Sequence, residues 1–409
     1  MIAGVVSFFS QFERNLWILA VGWFVGAMGF AASIPFIAIY FHNVLNMSTT
    51  EIGFFFAGMA VVRSVFHAIG GEMSDRVGRS ALLIHSQFAR AIIFFFLALA
   101  IAGNMGFWWV GGLLFVNSIF GSIFMPAVNA MVSDILPSEK RLDGYAVTRA
   151  AGNLGWAVGP AIGGFLAASS YDILFHLSAV ITLVSGLIFW FYLKVPHISR
   201  VQEHFRFSDL VAITKDRNLG KHMILILCLY LVVAQLVAPF SLYTVEMVGI
   251  SEWQLGLLFA FNGLLVAFLQ IPITRMLGSV RFSTQLALGA FLYFIGYGVL
   301  GMFASFNFFL LVIFIVTLGE LCMSPPSLTL TSRLAPEGRM GRYMGIHGFF
   351  TTAGWSLGPL YGGVFLDGFG DNLMTAWVLI ASLAFVSGVG YLLFGRRLPS
   401  QYNNKKAIT

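Results

Sequence analysis

Charged side chains are scarce in this sequence of 409 residues, since Asp, Glu, Lys and Arg together make up 10% of it and hydrophobic residues make up 58%. A soluble globular domain carries about a quarter charged residues. A chain this apolar cannot bury its side chains in one core surrounded by water. The low charge therefore excludes an ordinary soluble protein and predicts a chain embedded in a lipid bilayer.

Residues that would support other kinds of chemistry are also missing. The only two cysteines, Cys228 and Cys322, both lie in apolar stretches, which excludes a disulfide framework and a zinc site. No glycine-rich phosphate loop with lysine occurs, and no cluster of His, Cys and carboxylate residues has metal-ligand spacing. We therefore expect no metal, no cofactor, no ATP-driven pump and no enzymatic activity.

Long apolar runs fill the chain instead. A helix needs roughly 20 apolar residues to cross a bilayer. On that measure the sequence predicts twelve transmembrane helices, and the first of them is too long to be the core of a signal peptide. The predicted spans are residues 16–41, 49–71, 81–102, 106–132, 143–168, 172–193, 221–245, 252–275, 283–304, 306–331, 343–366 and 372–395.

Lysine and arginine are distributed unevenly between the loops. Of the 23, three lie inside predicted spans (Arg63, Arg90 and Arg149), and all the others fall on one side of the membrane. The positive-inside rule then places both termini in the cytoplasm. This distribution accounts for the net charge of +6 without nucleic acid as a partner. We expect a multi-pass protein of the plasma (inner) membrane.

One ten-residue pattern occurs twice, as GWAVGPAIGG at 155–164 and as GWSLGPLYGG at 354–363, 199 residues later. Its glycines recur every four residues, which places them on one helix face where two membrane helices can approach closely. The residues assigned to this packing are Gly155, Gly159, Pro160, Gly163, Gly354, Gly358, Pro359 and Gly362. The duplication predicts two related halves, 1–193 and 221–409, joined by a cytoplasmic segment, 194–220.

A second motif, GEMSDRVGR at 71–79, lies between predicted spans two and three. Its glycines permit a tight turn, and Arg76 and Arg79 could pair with a carboxylate such as Asp134 at the end of span four. The alternative is a cytoplasmic loop that is basic and contains glycine by chance. The candidate gating residues are Gly71, Asp75, Arg76, Gly78, Arg79 and Asp134.

In combination these features resemble the major facilitator superfamily. The 71–79 segment resembles its motif A, the Gly-Pro-Gly-Gly stretch of span five resembles its motif C, and the chain is most similar to the twelve-span drug:proton antiporter family. The resemblance implies an all-α integral membrane fold of twelve transmembrane helices in two pseudo-symmetric six-helix halves, working by alternating access. It also implies that Asp75, Arg79 and Asp134 form a cytoplasmic latch.

The chain departs from that family at two places. Asn117 stands four residues before Gly121, where motif B of the family has an arginine. The acidic residue that the family carries in span one is also missing. The motif B arginine is tied to proton coupling in relatives, so the coupling route of this chain is left open.

Ionisable residues inside the predicted spans are costly to insert and usually functional. Glu320 is the one acidic residue at mid-span and is the candidate for proton coupling; the alternative is a neutral Glu making one structural hydrogen bond. The predicted spans contain three arginines and one carboxylate, and this excess of positive charge indicates an anionic or amphipathic substrate. The candidate substrate-cavity residues are Arg63, Arg90, Arg149, Asn117, Asn153, Gln235 and Asn262. Single Asn and Gln residues also serve as contacts between membrane helices. His347 is expected at the headgroup interface.

The sequence therefore predicts a secondary active transporter that exports drugs or other amphipathic small molecules in exchange for protons. The alternatives are proton-coupled uptake and an exporter dedicated to one anionic metabolite or lipid. The expected partners are a small-molecule substrate, protons and the lipid bilayer, with no nucleic acid, and we expect a monomer.

Overall fold

The computed structural model describes residues 12–137, 141–194, 216–336 and 340–403. Within these ranges the chain forms helices joined by short turns, without strands. Twelve of these helices are long: α1 (Arg14–Asn43), α2 (Thr49–Val77), α3 (Arg79–Ala102), α4 (Phe107–Ile135), α5 (Arg141–Ala167), α6 (Tyr171–Tyr192), α7 (Arg217–Val233), α8 (Glu252–Met276), α9 (Phe282–Gly298), α10 (Phe306–Leu334), α11 (Met340–Gly368) and α12 (Leu373–Arg397).

The predicted all-α class is confirmed. Each predicted span overlaps one of these twelve helices, and in the described ranges eight helices are long and apolar enough to cross a membrane. Those eight are α1, α3, α4, α6, α7 with its continuation, α8, α10 and α12. Most of the predicted linker 194–220 lies outside the described residues, and the division into halves at 193 and 221 stays a prediction.

Three segments differ from the sequence-based expectation. The motif at 71–79 is not a loop, because α2 continues to Val77 and only Gly78 separates it from α3. Gly78 has a φ of 96°, a conformation that favours glycine, so one residue suffices for the turn. The span predicted at 283–304 ends earlier, at Gly298, and the chain then turns through Gly301, whose φ is 91°.

The third difference is a break in predicted span seven. After α7 the chain forms a 3₁₀ turn (Ala234–Leu236), a short α-helix (Pro239–Leu242) and a π-helical turn (Tyr243–Met247). Proline cannot donate the hydrogen bond that would continue the helix, which explains the interruption at Pro239. A continuous apolar run gives no indication of such a break apart from that proline.

The helices divide between two compact units. Unit 1 comprises Met1–Phe36 and Val62–Gln202, and unit 2 comprises Ile37–Val61 and Glu203–Thr409. In unit 1, α3 packs mainly on α4 and α6; in unit 2, α9 packs on α10 and α12, while α11 packs on α7. The end of α1 and the start of α2 thus belong to unit 2, where the Thr50 N–H donates to Asp367 Oδ2 at 2.7 Å.

The repeated glycine motifs mark the closest helix contacts of each unit. A Cβ placed on Gly155 would lie 2.7 Å from the Phe24 carbonyl oxygen of α1, and one on Gly159 would lie 2.5 Å from that of Met28. Gly163 meets the Ala32 carbonyl in the same way. Only glycine permits these contacts, because the neighbouring atoms are backbone and cannot rotate away.

The second copy of the motif makes equivalent contacts in unit 2. A Cβ on Gly354 would lie 2.6 Å from Tyr230 Cβ of α7. Gly358 faces Ala234, and Gly362 faces the Gln235 side chain. Pro160 and Pro359 each lie inside a continuous helix, in α5 and α11. In each unit, therefore, the motif helix packs against the first helix of its half.

A methyl group added at Gly159 should destabilise unit 1. We expect Gly159→Ala to lower the free energy of unfolding by about 1–3 kcal/mol, the usual cost of overpacking a core. The measurement is thermal unfolding of the purified protein. The matched control is Gly112→Ala in α4, where an added Cβ meets nothing within 4 Å, and this variant should be at least as stable as the wild type. Equal stability of the two variants would contradict the packing described.

Candidate functional site

Arg90 of α3 is the most deeply buried ionisable candidate in unit 1, with 3% of its surface exposed. Its guanidinium lies over the ring of Phe30, with Cζ 5.1 Å from the centroid, and 6.0 Å from the centroid of Phe94. On the α4 side it faces Gly121, where an added Cβ would lie 3.8 Å from Cζ and Nε. Small and aromatic residues of three helices therefore enclose this charge.

A chain of hydrogen bonds holds Arg90 in place. Its Nη1 donates to Gln87 Oε1 at 3.2 Å, and Gln87 Nε2 donates to Ser185 Oγ of α6 at 2.7 Å. Ser185 Oγ in turn donates to the Gly22 carbonyl of α1, also at 2.7 Å. Gly26 leaves room for the Gln87 side chain. Because Gln87 and Ser185 are buried and paired, the guanidinium is fixed relative to α1, α3 and α6.

No carboxylate pairs with this charge in the described part of the chain. The charged group that acts on Arg90 is Arg63 of α2, a partly exposed cation that repels it. A cation over an aromatic ring gains about 2 kcal/mol when desolvated. Removing a charge from water costs several kcal/mol even after relaxation. The rings alone therefore do not offset the burial of two neighbouring cations.

Unpaired donors accompany the buried charge. Arg90 Nε and Asn117 Nδ2 have no hydrogen-bond partner among the described residues, and both side chains are 3% exposed. Asn117 lies one helical turn before Gly121, on the same face of α4. Buried polar groups in proteins are almost always hydrogen-bonded. These two buried donors therefore lack the hydrogen-bond acceptor that such groups normally have.

The other polar candidates divide between the units. In unit 1, Arg149 is exposed and Asn153 is partly exposed. In unit 2, the buried Gln235 donates to the Leu231 carbonyl at 2.6 Å and to the Gly358 carbonyl of α11 at 2.8 Å, so it joins two helices. Asn262 of α8 donates to Thr317 Oγ1 of α10 at 2.8 Å.

Glu320 lies in the middle of α10 and is partly exposed. Its carboxylate acts electrostatically on Tyr293 and Tyr297, two buried tyrosines of α9. The neighbouring Gly319 allows α9 and α10 to approach, since a Cβ there would lie 2.9 Å from the Tyr293 ring. The Asn262–Thr317 hydrogen bond lies about one turn away along α10. Glu320 is thus held in a polar, aromatic part of unit 2.

The structure brings together Arg79 and Asp134, two of the candidate gating residues, which we call the motif A group. Arg79 Nη1 lies 2.6 Å from Asp134 Oδ1, and the two side chains are 3% and 2% exposed. The same Nη1 donates to the Ala130 carbonyl at 2.6 Å. The pair therefore ties the start of α3 to the end of α4 within unit 1. Gly71, Asp75 and Arg76 lie on the helical backbone of α2, but their side chains lie outside the described part of the chain.

A buried histidine cluster in unit 2 was not recognised from the sequence. His222 of α7 is fully buried, with Nδ1 3.0 Å from the Tyr391 hydroxyl and Nε2 3.2 Å from the Ser327 carbonyl and 3.1 Å from Thr331 Oγ1. A carbonyl only accepts hydrogen bonds, so the geometry places the proton on Nε2 and makes Nδ1 the acceptor. The cluster joins α7, α10 and α12.

His347 adjoins this cluster, with its ring centroid 6.2 Å from that of His222. Its expected position at the headgroup interface is wrong, because the side chain is only 4% exposed. Position near a helix end does not distinguish a lipid-facing histidine from one that faces the next helix.

The sequence profile of the Major Facilitator Superfamily matches residues 19–359 and 285–409. The chain is 27% identical to a Na(+), Li(+), K(+)/H(+) antiporter of Planococcus maritimus, a match covering 93% of this chain and 96% of the antiporter. It is 23% identical to the quinolone resistance protein NorA of Staphylococcus aureus (strain MSSA476), covering 87% and 90% of the two chains.

Among solved structures, the fold is similar to that of the peptide transporter POT in complex with sulfate. The TM-score is 0.79 over 94% of this chain and 95% of the transporter, at 16% sequence identity. This likeness shows the fold.

Breaking the Arg79–Asp134 pair should destabilise unit 1. Asp134→Asn leaves the Arg79 charge buried without its partner, and we expect a loss of about 3–5 kcal/mol in unfolding free energy. Thermal or denaturant unfolding of the purified protein measures it. Replacing both partners, as Arg79→Met with Asp134→Leu, removes the uncompensated charge and should recover most of the loss. An Asp134→Asn variant as stable as the wild type would show that the pair contributes nothing.

Proposed function

The chain belongs to the Major Facilitator Superfamily, and from that premise we propose that it exports drugs or other amphipathic small molecules in exchange for protons, by alternating access. The names of its relatives support this class of function, since they include a cation/proton antiporter and a quinolone resistance protein. We place it in the plasma (inner) membrane as a monomer with both termini in the cytoplasm, on the strength of the lysine and arginine distribution.

The position of Glu320 is the observation that supports proton coupling. A carboxylate within an apolar helix costs little while protonated and much while ionised. Glu320 is partly exposed, and the neighbouring tyrosines supply an aromatic, polar surface beside it. Substrate and proton would then compete for Glu320, which is the simplest form of antiport.

The Arg79–Asp134 pair supports a gating role for the motif A group. A buried ion pair at one end of a helix hairpin has two discrete states, made and broken, and the breaking of such a pair is a natural step in a conformational change. We propose that these residues, with Asp75, gate transport and do not bind substrate. Slow transport with unchanged substrate affinity in Asp75→Asn would support that role, and an equal loss of binding would count against it.

Glu320→Gln mimics the protonated carboxylate and should uncouple transport. In inverted membrane vesicles with an acidic lumen, an antiporter accumulates a fluorescent quinolone, whereas a proton symporter does not. We expect Glu320→Gln to abolish this accumulation while exchange of the labelled quinolone against unlabelled quinolone continues. The matched control is Glu13→Gln, an exposed residue that precedes α1, which should accumulate quinolone normally.

Two outcomes would contradict this proposal. Accumulation at the wild-type level in Glu320→Gln would show that Glu320 is structural. Accumulation that requires ATP hydrolysis by the purified protein in liposomes would remove it from the class of secondary transporters.

A second candidate is an exporter of one anionic metabolite or lipid. The observation that favours it is the unpaired arginine cluster of unit 1, where Arg63 and Arg90 have no carboxylate partner among the described residues.

A further inference from the structure

Unit 1 concentrates positive charge and unused hydrogen-bond donors at one place. Arg90 is 3% exposed, its Nε has no partner in the described ranges, and the neighbouring cation Arg63 repels it. Asn117 presents a second unpaired donor, Nδ2, from the same face of α4 that carries Gly121. Buried charges in proteins are normally compensated by an opposite charge.

We propose that Arg90, Arg63 and Asn117 form a binding site for the oxyanion group of an amphipathic small molecule, such as a carboxylate or a sulfonate. An oxyanion would accept from Arg90 Nε and from Asn117 Nδ2, and its charge would relieve the repulsion between the two arginines. Arg63 is partly exposed, whereas Arg90 and Asn117 are buried. This inference rests on the second candidate function, export of an anionic metabolite or lipid, and names the chemical group that is recognised.

The surroundings of Arg90 fit recognition of an oxyanion. The Gln87–Ser185–Gly22 chain of hydrogen bonds already fixes the guanidinium, so little side-chain conformational entropy is lost when a ligand binds. Gly121 places no side chain against the Nε edge, where even a Cβ would be in van der Waals contact with Nε at 3.8 Å. Phe30 covers the face of the guanidinium and offers an aromatic surface beside the charge.

The distribution of charges also separates this site from Glu320. Arg63, Arg90 and Asn117 all belong to unit 1, whereas Glu320 belongs to unit 2. The anion site therefore depends on residues that the proton-coupling proposal does not use. Either proposal can fail while the other stands.

The test compares two ligands of the same shape and opposite charge, 2-naphthalenesulfonate and 2-naphthyltrimethylammonium. Binding to the full-length protein in nanodiscs of neutral lipid is measured by isothermal titration calorimetry. We expect the wild type to bind the sulfonate at least tenfold more tightly than the ammonium ion. Binding of the ammonium ion as tight as that of the sulfonate would overturn the proposal.

Variants assign the binding to these residues. Arg90→Gln should weaken sulfonate binding at least tenfold, and Arg63→Gln and Asn117→Ala severalfold each. Arg90→Lys keeps the charge but loses the Nε donor, so it should not restore wild-type affinity. Arg281→Gln removes one exposed charge outside the site and should leave the affinity unchanged. Thermal unfolding without ligand shows which variants are folded.

A steric variant keeps the proposal testable if Arg90→Gln does not fold. Gly121→Val retains both arginines and covers the Nε edge, so it should also weaken sulfonate binding at least tenfold. Wild-type affinity in folded Arg63→Gln and Gly121→Val would overturn the site.

Transport separates this inference from the proposed function. Sulfonate binding without any gradient-driven flux would leave the anion site standing and overturn the transport proposal. Accumulation of quinolone in a protein that neither binds 2-naphthalenesulfonate nor is inhibited by it would support transport and overturn the anion site.

Discussion

Close backbone contact between helices is the constraint on which the rest of the structure depends. Lipid tails are as apolar as the side chains, so moving an apolar side chain from lipid to a helix interface gains little free energy. Helix association therefore depends on packing and on hydrogen bonds between helices. The glycines at 155, 159 and 163 allow α5 to touch the backbone of α1, and those at 354, 358 and 362 allow α11 to approach α7 and the turn that follows it. These contacts fix the helices that carry or adjoin the polar groups.

Polar groups within the two units fall into two kinds. His222 has both ring nitrogens directed at groups on other helices, and Gln235 joins α11 through its amide nitrogen. Arg90 donates from Nη1 to Gln87, whereas its Nε has no partner among the described residues. The first kind holds helices together, whereas the second kind has a remaining capacity for a ligand. Burial alone does not separate them, because all three residues are almost completely buried.

Much of the fold follows from the sequence, because span length, the charge distribution and the repeated glycine motif are all local patterns. The motif at 71–79 and its resemblance to motif A offered Asp134 as a partner of Arg79, and the structure pairs the two residues. The break at Pro239 and the early end of α9 were missed, since both lie within apolar runs of uniform character. The His222 cluster was missed for another reason: its members come from three helices, with Thr331 and Tyr391 109 and 169 residues after His222 in sequence.

The single residue between α2 and α3 has a mechanical consequence. A loop of several residues would absorb a rotation of either helix end, but Gly78 provides only one φ and one ψ angle as slack. A twist at the end of α2 must therefore appear as a change in the torsion angles of Gly78 or pass directly into α3. That helix carries Arg79 in its first turn and Gln87 and Arg90 further along. A rotation of the motif at 71–79 would therefore be transmitted along α3 to the buried guanidinium of Arg90.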